Sequence, residues 1–249
     1  MDAARKDEIA EAASRIRAAG STVAALTGAG ISVESGIPAF RGTQGLWDRF
    51  DPMEYATIEA FSADPGKAWR MFAELLSLLL SAEPNSAHRG LSVLEQTGRL
   101  KSVITQNVDG LHQAAGSREV IEYHGSVREL VCLSCWNRYP LGRWKPGDPP
   151  PRCSCGTILK PDIVLFGEPI PWGAQAAAEA EAKVCGALLV IGTSAQVYPA
   201  CELPEIAREH GAVVIEINTE ETPLTRSITD LFLKGKATEV VPLLVGALR

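Results

Sequence analysis

Four cysteines near the middle of the chain have the type and spacing of metal ligands: Cys132-Leu133-Ser134-Cys135, then Cys153-Ser154-Cys155 after seventeen intervening residues. Thiolates carried on two tight turns suit one tetrahedral zinc ion. The second pair is Cys-x-Cys where Cys-x-x-Cys is commoner, which tightens its turn but still lets both sulfurs reach one ion. Four protein ligands close the coordination shell, so such a metal holds structure and leaves no open position for chemistry. A disulfide pairing, which needs an oxidising compartment, and four unmetallated thiols stand as alternatives. Cys185 and Cys201 have no such partners and read as packing thiols.

A second group of candidate residues sits at the ends of short apolar runs. Val23–Leu26 leads into Thr27-Gly28-Ala29-Gly30-Ile31-Ser32, and Ser102–Ile104 into Thr105-Gln106-Asn107-Val108-Asp109. Val120–Glu122 leads into Tyr123-His124-Gly125-Ser126, and Leu188–Ile191 into Gly192-Thr193-Ser194. A glycine-rich turn after a strand lets backbone N–H groups approach a pyrophosphate. The spacing is not G-x-G-x-x-G, however, and Pro38 with Phe40-Arg41-Gly42 stands where a dehydrogenase fingerprint opens its helix. Imidazole is the side chain whose ordinary pKa suits proton transfer near neutral pH, so His124 is a candidate acid–base group, although a lone histidine is more often structural. His88 reads as part of a helix start capped by Asn85 or Ser86, His210 as a helix end, and His112 as an orienting or packing residue.

In this order the motifs resemble the sirtuins, the NAD-dependent protein lysine deacylases, over about Val23 to Ala237. The resemblance implies NAD across a crevice, with adenosine toward Gly192, Thr193, Ser194, Asn218 and Ala237, and phosphates near Gly28, Ala29 and Ser194. It places nicotinamide beneath Ile31, Gln106, Asn107 and Asp109, within a loop that also carries Gly30, Ser32, Ser35, Ile37 and Pro38. Phe40 would shield the reactive ribose from water, and Arg41 would pair with phosphate in preference to Glu34. His124 would act as the base on a ribose hydroxyl, with Asn107 beside it. Acyl-lysine proteins would bind as an added strand between Val164-Leu165-Phe166-Gly167-Glu168 and the segment around Val197 and Tyr198. The products would be free lysine, nicotinamide and O-acyl-ADP-ribose.

Sirtuins that remove succinyl or malonyl groups carry a tyrosine and, three residues on, an arginine in the acyl pocket. Phe72 and Leu75 align with that pair, so an anionic acyl group would enter an apolar pocket without a counter-charge, at a cost of several kcal/mol. Acetyl removal, extending to longer apolar acyl chains, is the expected activity.

The elements that must position these groups follow from hydrophobic patterning. Ile9, Ala12, Ala13 and Ile16 recur at helical spacing in Asp7–Ala19. Strands are expected near Val23–Leu26, Ser102–Ile104, Val120–Glu122, Ala187–Ile191, Val213–Ile217 and Leu231–Lys234, with helices between several of them. The fold class is then α/β, a Rossmann-like doubly wound parallel sheet. We expect one catalytic domain over 1–249, with its NAD-binding core in 20–130 and 160–240. A zinc ribbon at 131–159 and a helical insert around 43–84 would make up a small inserted zinc-binding domain.

The chain has 249 residues, 46% hydrophobic and 22% charged, with a net charge of −6. That balance argues against a sequence-independent grip on nucleic acid and favours basic, lysine-rich protein segments. The longest leucine-rich run, Leu75–Leu80, is far too short to span a membrane, and the charged N-terminus lacks a signal-peptide apolar region, so a cytoplasmic location is expected. A nicotinamide dehydrogenase would need an acid closing a second strand; Asp48 and Asp51 have no strand before them. A non-enzymatic zinc-ribbon module leaves the strand-end motifs unexplained. Protein mono-ADP-ribosyl transfer, which uses the same NAD cleavage, is the rival reading.

Overall fold

A computed structural model describes residues 3–38, 46–142, 144–145 and 147–249. Among these residues nine strands run β1 Val23–Thr27, β2 Ser102–Thr105, β3 Val120–Glu122, β4 Gly125–Val131, β5 Arg138–Pro140, β6 Lys160–Ile163, β7 Ala187–Ile191, β8 Val213–Asn218 and β9 Leu231–Lys234. Six of them form one sheet in the order β3-β2-β1-β7-β8-β9, and every neighbouring pair is parallel. The order reverses between β1 and β7, the place where an open parallel sheet leaves a crevice at its carboxyl edge.

Both faces of the sheet are covered, which is why β1 and β7 are buried at every position and read as unbroken apolar runs. Val23, Ala25, Val103, Leu189 and Ile215 pack in the layer of helices Ala3–Ala19, Ser86–Gln96 and Ala237–Leu248. Their sequence neighbours Ala24, Leu26, Ile104, Leu188 and Val214 point the other way, onto helices Trp172–Val184 and Leu203–Glu209. The sheet thereby fixes the height at which Thr27, Thr105, Glu122 and Ile191 end and the polar turns begin.

A second sheet, β5-β4-β6, is antiparallel and holds the cysteine module. The hydrophobic pattern did not announce these strands, because β4 has both exposed and buried residues without clean alternation. Against this sheet lies helix Pro65–Ser81, started by Asp64, whose side chain accepts from the Lys67 amide, and by Pro65 in the first turn. Its Trp69, Phe72, Leu76 and Leu79 share one core with Leu130, Leu141, Trp144 and Leu159. Each such side chain contributes roughly 1.5–3 kcal/mol by leaving water. The Trp69 indole also donates to Leu159 O at 2.8 Å, tying the helix to the start of β6. Among the described residues, no helix is long and apolar enough to cross a membrane.

Candidate active site

The turns after β1 and β7 are joined backbone to backbone. Gly28 N–H donates to Ile191 O at 3.1 Å, and Gly30 N–H to Gly192 O at 2.7 Å. A Cβ on Gly30 would lie 2.7 Å from Gly192 O, and one on Gly192, whose φ is +60°, 2.5 Å from Ile31 N. The glycines thus permit the two turns to touch, and of the three residues expected near the phosphates, Gly28, Ala29 and Ser194, one, Gly28, has its amide engaged in that joint. The Ala29 amide takes no part in it. Gln106 adds a tie from its Nε2 to Thr193 Oγ1 at 3.0 Å, and Asn218 Nδ2 donates to Thr193 O at 2.9 Å.

Above this joint opens a cavity of about 1020 Å³. That is the upper end of the range for small-molecule sites and gives room for a dinucleotide beside an extended side chain. Gly28, Ala29, Gly30, Gly192, Thr193, Ser194, Asn218 and Ala237 line one side. The opposite side is apolar, with Met71, Leu75, Val108, Ile163 and Leu165.

His124 also lines the cavity, its ring bonded to Gln106 of the crevice turns and its carbonyl to Val164 beyond β6. Its Nδ1 is 3.0 Å from Gln106 O, and since a carbonyl only accepts, Nδ1 carries the proton and Nε2 keeps its lone pair. Burial lowers its pKa below the ordinary 6.5, partly offset by that hydrogen bond, so the ring is neutral at pH 7. A neutral imidazole with a free Nε2 is a general base.

Behind the crevice floor lies a closed polar cluster. Ser32 Oγ donates to Asp109 Oδ2 at 2.7 Å and accepts from Asn107 Nδ2 at 3.1 Å; the same amide donates to Gly28 O. His88 Nδ1 accepts from the Asn85 amide, which leaves Nε2–H to donate to Ser32 Oγ at 3.4 Å. His112 Nε2 meets Thr27 Oγ1 at 3.0 Å, and the two imidazoles pack edge to face at 4.9 Å. Both rings are fully buried, and burial pushes His88 down to about 4 and His112 down to about 3. Neither can serve as a base near neutral pH; they support the loop that Ser32 and Asn107 hold.

The substrate edge follows β6. Val164 N–H donates to His124 O, and Phe166 pairs in both directions with the chain before helix Ile58–Ala63, through Ala56 O and Ile58 N. Val164, Phe166, Gly167 and Glu168 line the cavity, as do Val197 and Tyr198 across from them; Tyr198 is 74% exposed.

The sulfurs of Cys132, Cys135, Cys153 and Cys155 all lie within 4.8 Å of one another, and none is in a disulfide. Cys132–Cys155 and Cys135–Cys153 approach at 3.5 and 3.4 Å. A tetrahedron with Zn–S near 2.3 Å has edges of about 3.8 Å, so the set fits one zinc ion with all four thiolates as ligands.

The Sir2 family model matches residues 28–199, which span the crevice turns, the base and the cysteine module. The chain belongs to the Sir2 family. It is 49% identical over 219 residues to NAD-dependent protein deacylase 2 of Pyrobaculum aerophilum, covering 88% of each chain. A solved, triply substituted Sir2 homologue in complex with 2′-O-acetyl ADP ribose superposes with a TM-score of 0.88 at 45% identity, over 100% of this chain and 97% of the other. A Sir2 structure bound to a myristoylated histone peptide superposes with a TM-score of 0.81 at 40% identity, over 97% and 96%.

In this Sir2 chain several expected contacts fall one layer behind the cavity. Ile31, Ser32 and Ile37 are buried, Ser35 accepts from Asn85 Nδ2, Pro38 is half-buried, and Asp109 is engaged by Ser32 and the Leu111 amide. Only Gln106 and Asn107 of the expected nicotinamide side line the cavity. Phe72 is corrected: it is 0% exposed, packs on Phe61 and Trp69, and yields its place in the pocket to Met71, one residue earlier on the helix. Leu75 does line the pocket. Phe40 and Arg41 lie outside the described residues. His88 was legible only as a helix start; that it reaches Ser32 across 56 residues of sequence separation carries no local signal.

Proposed function

We infer that the protein removes acetyl and longer apolar acyl groups from protein lysines at the expense of NAD, releasing nicotinamide and O-acyl-ADP-ribose. The observation that carries this reading is the placement of His124: one neutral imidazole, its Nε2 without a hydrogen-bond partner among the described residues, where the glycine-lined crevice meets the apolar pocket. NAD would lie along Gly28–Gly30 and Gly192–Ser194, supplying the ribose carbon that the acyl oxygen attacks and the hydroxyl that receives the acyl group. Asn107, pinned by Gly28 O and Ser32 Oγ, presents its remaining carboxamide oxygen in a fixed direction. His124 Nε2 takes the ribose proton, and Gln106 O holds the charged ring that results. Met71, Leu75, Val108 and Leu165 exclude water from the acyl chain.

The pocket chemistry supports neutral over anionic acyl groups. Among the described residues lining the cavity the one cation is Lys236, beside Ala237 at the adenosine side and paired with Glu34 at 3.0 Å. Zinc on the four cysteines would shape the apolar wall without entering the reaction, and free thiols accord with a reducing, cytoplasmic setting. Transfer of ADP-ribose to protein uses the same first step, but the acetylated ADP-ribose bound by a relative is the product of deacylation. Mass spectrometry of an acetyl-lysine peptide incubated with and without NAD tests the reading. NAD-dependent loss of acetyl with nicotinamide and acetylated ADP-ribose is expected; an intact peptide and ADP-ribosylated protein would replace it with transfer.

A further inference from the structure

We propose that Lys160 and Glu168 are a positioning pair that fixes the shape of the peptide-binding edge. Lys160 belongs to β6 and is 3% exposed, an unusual place for an ammonium. Its Nζ donates to Ile163 O at 2.5 Å and to Glu168 Oε2 at 2.8 Å, so one cation ties together the two ends of the segment that lines the cavity. The same carboxylate oxygen accepts from Leu165 N–H at 2.8 Å, while Glu168 N–H donates to Leu165 O at 3.0 Å. The Glu168 carboxylate is therefore spent within its own segment. It is turned back onto the chain, and the turn at Gly167, with φ +86°, makes that return possible.

Burying an ammonium costs desolvation that one ion pair barely offsets, and a same-sized apolar side chain would serve packing as well or better. What the apolar side chain could not do is hold Ile163 O and Glu168 at once. With Leu165 closed on Glu168, Phe166 closed on Ala56 and Ile58, and Val164 closed on His124 O, the segment is ordered before a peptide arrives. The backbone groups that these bonds leave over among the described residues, Val164 O and the Gly167 amide, are thereby held in place for an incoming strand, which avoids the cost of ordering them. The pair acts on substrate affinity through the backbone, touching neither the acyl group nor NAD.

The proposal rests on the deacylase reading, and wild-type turnover tests that reading separately. Steady-state kinetics of Lys160→Met and Glu168→Gln on an acetyl-lysine peptide, with backbone amide exchange of the free proteins, test the pair. In Lys160→Met the peptide KM should rise about tenfold, equivalent to about 1.4 kcal/mol, with the NAD KM within twofold and kcat changed less than the peptide KM. The Leu165 amide should exchange at least tenfold faster in both variants. An unchanged peptide KM, peptide and NAD KM rising together, or unaltered Leu165 exchange would each overturn the proposal. Should Lys160→Met fail to fold, Glu168→Gln, which keeps the side-chain volume, carries the same readouts.

Discussion

The two sides of the cavity are built on opposite principles. On the crevice side, strand ends of a fully buried parallel sheet bring backbone against backbone, and the few side chains present, Ser32, Asn107, Asp109 and His88, hold one another in a closed cluster. On the acyl side, a helix and a three-stranded sheet present Met71, Leu75, Val108, Ile163 and Leu165, and the core behind them includes Cys132 and Cys153 of the metal cluster. The first side is backed by a six-stranded parallel sheet with a core on each face; the second has a single core that reaches the cysteine cluster. Histidines show the same division. Those within the crevice floor are silenced by burial, whereas His124, on the boundary, keeps one nitrogen facing the cavity.

The largest expected effect falls on that boundary. His124→Ala should lower kcat/KM for an acetyl-lysine peptide by about 10²–10⁴-fold, measured by release of nicotinamide and acetylated ADP-ribose, with the peptide still binding. Retention of more than a tenth of the activity would remove His124 from the role of base. Metal removal separates the two sides: a chelator should extract one zinc per chain and abolish turnover by loosening the acyl side. NAD binding by the crevice should weaken much less, as titration calorimetry would show. Equal loss of both would mean that the sides fold as one unit.

Acid acts on the crevice side. His88 and His112 titrate far lower in the folded protein than the ordinary 6.5, so the unfolded chain binds protons that the native state refuses. Their contribution to stability is fully present above pH 6.5 and is lost as pH falls to about 4 for His88 and about 3 for His112, at up to about 1.4 kcal/mol per pH unit for each ring. Denaturant unfolding at pH 7, 6 and 5 checks this; a flat profile would show that the rings protonate without unfolding. The smallest effect expected is on acyl choice. Succinyl-lysine should turn over about a hundredfold more slowly than acetyl-lysine, and Leu75→Arg should narrow that ratio about tenfold by placing a cation in the pocket. An unmoved ratio would place the acyl terminus elsewhere than beside Leu75.

The crevice side was the more legible in sequence. Its strands are continuous apolar runs bounded by glycine and polar turns, so β1, β2, β3, β7, β8 and β9 stand within a residue of their expected limits. The cysteines declared themselves by spacing alone. Strands β4–β6 did not, because β5 and β6 have only three and four residues and the burial along β4 and β6 does not alternate. The pocket helix was placed correctly as an element but misread by one residue: Phe72 and Met71 are both apolar, and which of them faces the cavity depends on how the helix turns against Trp69 and Phe61. Lys160 is the clearest case of what sequence withholds, since a lysine in a short strand reads as solvated until the partners that bury it are known.

The contact between Gly28, Gly30 and Gly192 has a consequence for the genetics of this protein. A substitution at Gly30 would score in a screen as loss of activity, and its cause would be a collision with Gly192 O, where a Cβ has only 2.7 Å. Such an allele has no simple suppressor across the joint, because the opposing residue is already the smallest there is and holds a left-handed backbone that other residues resist. Revertants should be confined to Gly30 itself, which makes the joint one of the least negotiable places in the chain.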